Sequence, residues 1–175
     1  MHNSLKNLKY DLLKLYNKIV FLSRNKFLYN IFYIDDTFQN RINLIFIHIS
    51  FLFIKVKKNR NIEDYKEFSQ KMFDFIFKKI EINMRELGYG DVSVNKNMKF
   101  LVKIFYNVLL ECENYHKKDL NYKSIFLSKI LTINNNIEQN SKYSLIIRYF
   151  DKYQTFCVAL PIDNVLKGDL NFNYK

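Results

Sequence analysis

Apolar residues recur along this chain at three- and four-residue steps, the spacing that puts them on one face of a helix. Leu5, Leu8, Leu12, Leu15, Ile19 and Leu22 form the first such stripe, with Ser4 ahead of it as a cap. Arg24 to Tyr33 reads as a short aromatic helical turn, and Asp35-Asp36-Thr37 supplies caps for a second helix. That helix carries the most hydrophobic run, Ile42 to Ile54, apolar nearly all round and followed by Lys55-Val-Lys-Lys-Asn-Arg60. A bilayer core needs about 20 apolar residues, so the run predicts a central core helix. The other reading of it is a membrane-seeking segment with a basic flank. His48 inside it is expected as a hydrogen-bonded core histidine rather than a ligand or a base.

Asn61 to Asp64 reads as a loop and cap before a third helix that runs to Leu87. On it Glu67–Lys71, Asp74–Lys78 and Glu81–Arg85 stand four residues apart, each pair adding about 0.3 kcal/mol when formed. A fourth helix is expected from about Lys96 to Lys117, a fifth from Leu120 through Ile133, and a last long one from about Ser141 to Leu160, stopped by Pro161. The Asn-rich stretch 133–141 reads as a linker, and Val165, Leu166, Leu170 and Phe172 would fold the tail back. The pattern therefore predicts an all-α, single-domain irregular bundle of about six helices over residues 1–175, with a central hydrophobic helix.

The stretch around which these elements turn is Met84 to Lys99, which holds two of the chain's three glycines. Gly88 follows the last periodic apolar residue of the third helix, where a left-handed position favours a residue without Cβ. Gly90 loosens the turn, and Asp91, Ser93 or Asn95 would cap the next helix. Arg85 and Asp91 would form a buried bridge across the turn. Lys96, Lys99 and Lys103 would face outward, because Met98, Leu101 and Val102 claim the core side.

Composition narrows the chemistry. One proline and three glycines in 175 residues leave few breakers, which supports the all-helical reading. The net charge of +11 favours polyanionic surroundings such as RNA or an anionic membrane face. Part of it is discounted, since the skew toward Lys, Asn, Ile, Phe and Tyr is also what an AT-rich genome produces. Cys112 and Cys157 lie far apart in helical apolar patterns and fit small buried side chains of a reduced protein. His2, His48 and His116 show no ligand spacing, so no structural metal is expected. The N-terminus lacks a secretory h-region and reads as a cytoplasmic start. No nucleophile–base pair or phosphate loop is visible, and Glu86 with Asp91 lacks an oxyanion donor. Catalysis is not expected.

The string Arg85-Glu-Leu-Gly-Tyr-Gly-Asp-Val-Ser-Val-Asn-Lys-Asn-Met-Lys99, followed by Phe105-Tyr106, resembles the ubiquinol–cytochrome c chaperone family. Further marks recur in order: Leu15-Tyr16 with Ile19-Val20, Arg24, Asp36-Thr37 before Arg41, His48, Ser69-Gln70, Phe73-Asp74 and Phe77. Arg148-Tyr149 and Leu160-Pro161, with Leu166, Gly168 and Phe172, are similar to the family's final segment. Asn107 stands where the family has Gly, Glu81 where it has Asp, and Ile42 where it favours Phe. The resemblance implies an assembly chaperone for cytochrome b of the ubiquinol–cytochrome c reductase (bc1) complex, with no cofactor and no DNA partner. It also implies work near the ribosomal tunnel exit beside a small partner protein, and a peripheral place on the inner face of the respiratory membrane. Arg85, Glu86, Tyr89, Asp91, Lys96 and Lys99 are its candidate contact residues, with Gly88 and Gly90 as the hinge. The other function class is a basic helical module that binds RNA or an anionic membrane without a dedicated client.

Overall fold

The structure, a computed structural model, describes residues 2–59, 61–133 and 139–174. Six helices of eleven residues or more carry it: α1 (His2–Ser23), α3 (Phe38–Asn59), α4 (Ile62–Glu86), α5 (Asp91–Glu113), α6 (Leu120–Ile130) and α7 (Gln139–Ala159). Two five-residue helices, α2 (Lys26–Asn30) and α8 (Ile162–Leu166), and a 3-10 turn at Tyr115–Lys117 fill the connections. Among the described residues there is no strand, only a single antiparallel bridge between Ile34 and Ile133. The all-α reading holds.

α3 is the centre, as its apolarity predicts. Every residue from Ile42 to Phe53 is buried, and the helix packs on α1, α4, α5, α7 and α8, most extensively on α5. Thr37 caps it, its hydroxyl accepting from the Asn40 amide at 3.1 Å. The buried polar residues of this helix, Asn40, Asn43, His48 and Ser50, each have a partner, since an unmet buried group costs about 1–3 kcal/mol. The Asn40 side chain donates to the carbonyls of Asp35 and Thr132 at 2.8 and 2.9 Å and accepts from the Thr132 amide at 3.0 Å. Asn43 donates to the Ile130 carbonyl at 2.6 Å. These two amides clamp the end of α6 to the central helix. His48 donates from Nδ1 to the Leu44 carbonyl at 2.6 Å and accepts the Tyr149 hydroxyl at 2.8 Å on Nε2.

Around α3 the core is aromatic. Phe46, Phe53, Phe73, Phe77 and Phe105 meet between α3, α4 and α5, mostly edge to face. On the α7 side Tyr149 and Tyr153 pack on His48, and Phe172 from the tail closes over both tyrosines. The tail folds back as its apolar spacing predicts, with Val165 and Leu170 buried.

Several boundaries differ from the sequence reading. α1 begins at His2, so Ser4 lies inside the helix rather than capping it. α5 starts at Asp91 and ends at Glu113, with the 3-10 turn completing the stretch expected as helix. α6 stops at Ile130, because Asn40 and Asn43 draw the following backbone into an extended course. α7 begins at Gln139, inside the expected linker 133–141, of which 134–138 lie outside the described residues. Of the three helical ion pairs, Glu67–Lys71 and Glu81–Arg85 form, whereas Asp74 accepts from Gln70 instead of Lys78.

Candidate functional site

α4 ends in two backbone bonds that reverse the chain. The Gly88 amide donates to the Arg85 carbonyl at 3.0 Å and the Tyr89 amide to the Met84 carbonyl at 3.1 Å. This is the Schellman arrangement, and it requires the left-handed φ of +87° that Gly88 adopts. Gly90 is the N-cap of α5 with ordinary extended angles and no side-chain cap bond. The expectation that Asp91, Ser93 or Asn95 caps this helix is therefore corrected. Asp91 is already its first residue, and its carboxylate accepts from Arg85 Nη1 at 2.5 Å. Glu81 accepts from Arg85 as well, at 2.9 Å. Together the two acids, Asp91 foremost, hold the guanidinium above its ordinary pKa.

The bridge forms, but it is not buried. The side chains of Arg85 and Asp91 are 45% and 80% exposed, so water screens the pair and solvates either partner left alone. Gly88→Ala, by contrast, forces Cβ into a left-handed position and should cost about 1 kcal/mol, roughly 2–4 °C of melting temperature. Arg85→Ala and Asp91→Ala should shift the melt less than Gly88→Ala does, and thermal unfolding of the three variants checks that order.

All six candidate contact residues are exposed, and they fall in four places. Arg85 and Asp91 bridge the hinge. Glu86 turns to a cleft of about 230 Å3 between α1, α3 and α4, with Tyr16, Arg24 and Arg41 on its walls. There Arg41 grips Asp36 through Nε and Nη2 at 2.6 and 2.8 Å, which lowers the Asp36 pKa. Tyr89 enters a different cleft of about 250 Å3, beside Gln39, Asn97 and Phe100. Lys96 and Lys99 stand on the outer face of α5 with Lys103, unpaired with any acid among the described residues.

Sequence reasoning missed the apolar residues on that same outer face. Val92 is 85% exposed, Leu110 67%, Phe100 55% and Tyr106 52%. The signal was available, since none of them falls on the buried stripe Leu101, Phe105 and Cys112. Sequence reasoning also missed a cleft of about 400 Å3 between α5 and α6, lined by Asn43, Ile104, Leu110, Ile125 and Lys129 among others. Gln39 and Asn43, one turn apart on α3, are hydrogen-bonded at 2.9 Å, and Phe100 and Ile104 are one turn apart on α5. The α5–α6 cleft is thus an apolar trough, and the Tyr89 cleft lies one turn away toward the hinge, with no lining residue in common.

Among the described residues no three His, Cys, Asp or Glu side chains are grouped to hold a metal ion. Burial pushes the His48 pKa down to about 4 and that of Cys157 up to about 12, so both stay neutral.

The family model described as "Ubiquinol-cytochrome C chaperone" matches residues 30–172. The chain belongs to the ubiquinol–cytochrome c chaperone family. Family membership makes it a chaperone in assembly of the bc1 complex. The fold is similar to the crystal structure of the Cbp3 homolog from Brucella abortus, with a TM-score of 0.80 at 24% identity, covering 99% of this chain and 94% of that one. A comparison with curated proteins found no match.

Proposed function

We propose that this chaperone binds newly made cytochrome b and holds it during biogenesis of the bc1 complex. The observation that carries the reading is the trough between α5 and α6, lined by Ile104, Leu110 and Ile125, with the Tyr89 cleft one turn away beside the family's hinge string. A hydrophobic client helix lays its apolar face into such a groove, and lysines on the lip meet its polar end. Arg85, Glu86, Tyr89, Asp91, Lys96 and Lys99 then contact client, ribosome or a small partner protein at the hinge end. The proposed site of work is the cytoplasm, peripherally on the inner face of the respiratory membrane; no described helix is long and apolar enough to cross a membrane.

Deleting the gene should lower cytochrome b and bc1 activity while other respiratory complexes stay near normal; an equal fall in all of them would count against the proposal. Lys96→Glu with Lys99→Glu should leave the fold intact, because both side chains are exposed, and abolish complementation of the deletion. Unfolding of that variant, or full complementation by it, would defeat the assignment of the hinge lysines.

The lysine stripe also fits a basic module that binds RNA or an anionic membrane without a client. Such a phosphate binder loses affinity steeply as salt rises, whereas occupancy of an apolar trough does not.

A further inference from the structure

α5 presents to solvent a face that borders the trough and shares only Asn107 and Leu110 with it. At 100° per residue, Val92, Lys96, Lys99, Lys103, Tyr106, Asn107 and Leu110 share one side of the helix, and all are exposed. No acid stands on that side. Glu111 turns toward α6, where Tyr122 donates to it at 2.5 Å, and Glu113 accepts Lys57 at 2.6 Å. Three lysines are therefore flanked by Val92 at one end and by Tyr106 and Leu110 at the other along about 27 Å of one helix.

We infer that this face of α5 docks on an anionic lipid bilayer, with Lys96, Lys99 and Lys103 among the headgroups and Val92, Tyr106 and Leu110 at the acyl boundary. The charge alone would serve any polyphosphate. The apolar residues decide the partner: an RNA backbone offers Val92 and Leu110 nothing to enter, while the headgroup–acyl boundary takes apolar and basic groups on one helix face together. Long lysine stems reach back to the phosphates while the helix lies flat. In this pose the trough beside α5 opens at headgroup depth, where a membrane protein's helix is handed over. The proposal deepens the chaperone reading and rests on it for that purpose, but vesicle binding contains no client, so either one fails without the other.

The test is co-sedimentation of the full chain with phosphatidylcholine vesicles, with and without a third of phosphatidylglycerol. Binding should require the anionic lipid. Lys96, Lys99 and Lys103 all changed to Gln should weaken it about 100-fold, from roughly fivefold per lysine. Val92→Asn with Leu110→Asn should weaken it at least tenfold with every lysine kept. The chain contains no tryptophan, so Leu110→Trp adds a sole reporter that needs no loss of binding to be read. Its emission should shift to the blue on anionic vesicles and be quenched by brominated acyl chains. Phe21→Trp, at a residue 71% exposed on α1, should show neither. Wild-type affinity in the Val92/Leu110 variant would overturn the proposal and leave a phosphate reader, such as one for RNA. So would no binding to anionic vesicles, or a shift at position 21 and none at 110.

Discussion

Replacing His48 with Ala should lower the melting temperature by on the order of 10 °C, from a cost of about 4 kcal/mol. The imidazole is fully buried on the central helix and touches the rings of Tyr149, Phe150 and Tyr153. Its removal leaves a cavity at the α3–α7 contact and strips the Tyr149 hydroxyl of its acceptor. The same residue sets a pH dependence. Burial lowers its pKa from 6.5 to about 4, so the unfolded chain takes up a proton before the folded one does. The contribution is therefore complete above about pH 6.5 and is lost as pH falls toward 4, by about 3 kcal/mol across that window. Denaturant unfolding from pH 7 to pH 4 measures it. His48→Gln, which carries no proton to exchange in this range, should flatten that part of the curve. An unchanged slope in the variant would place the effect elsewhere.

Gly168→Ala should be the most damaging of the glycine substitutions, costing about 3 kcal/mol and again on the order of 10 °C. Gly168 has φ +69°, and a Cβ there would stand 2.7 Å from the Leu15 amide nitrogen and 3.0 Å from the Asp11 carbonyl oxygen. Both neighbours are backbone of α1, which has no flexible end to move aside. The glycine is what lets the tail lie on α1, where Lys14 pairs with Asp169. Gly88 has the same left-handed φ but open space around its missing Cβ, so it suffers the conformational cost alone. A melting series of the two alanine variants separates the contributions: Gly168→Ala should fall further than Gly88→Ala, and equal shifts would contradict the close approach.

The helices were legible because burial writes itself into a 3.6-residue period, and Ile42 to Phe53 could only be central when every side of it is apolar. Gly88 was legible for a related reason, since the residue after the last periodic position must reverse the chain. Asp91 was misread because an aspartate serves equally as a cap or in the first helical turn, and spacing alone does not choose between them. The exposure of Arg85 and Asp91 could not be read, because separation along the chain says nothing about how much water surrounds a pair. The Asn40 and Asn43 clamps were invisible too. Each acts on backbone about ninety residues away, and an asparagine's partner leaves no periodic trace. The trough is a property of α3, α5 and α6 together. Its apolar residues on α5 could be counted as leftovers from the buried stripe, but α6 had to be placed before they faced anything.

Cytochrome b is the proposed client, so the direct measurement is capture of newly made chains. Pulse-labelled cells expressing the tagged protein should yield labelled cytochrome b with it. That enrichment should fall to background in Lys96→Glu with Lys99→Glu, and in a trough variant such as Ile104→Glu that still melts cooperatively. No enrichment of cytochrome b over an unrelated basic protein of equal charge would contradict the account.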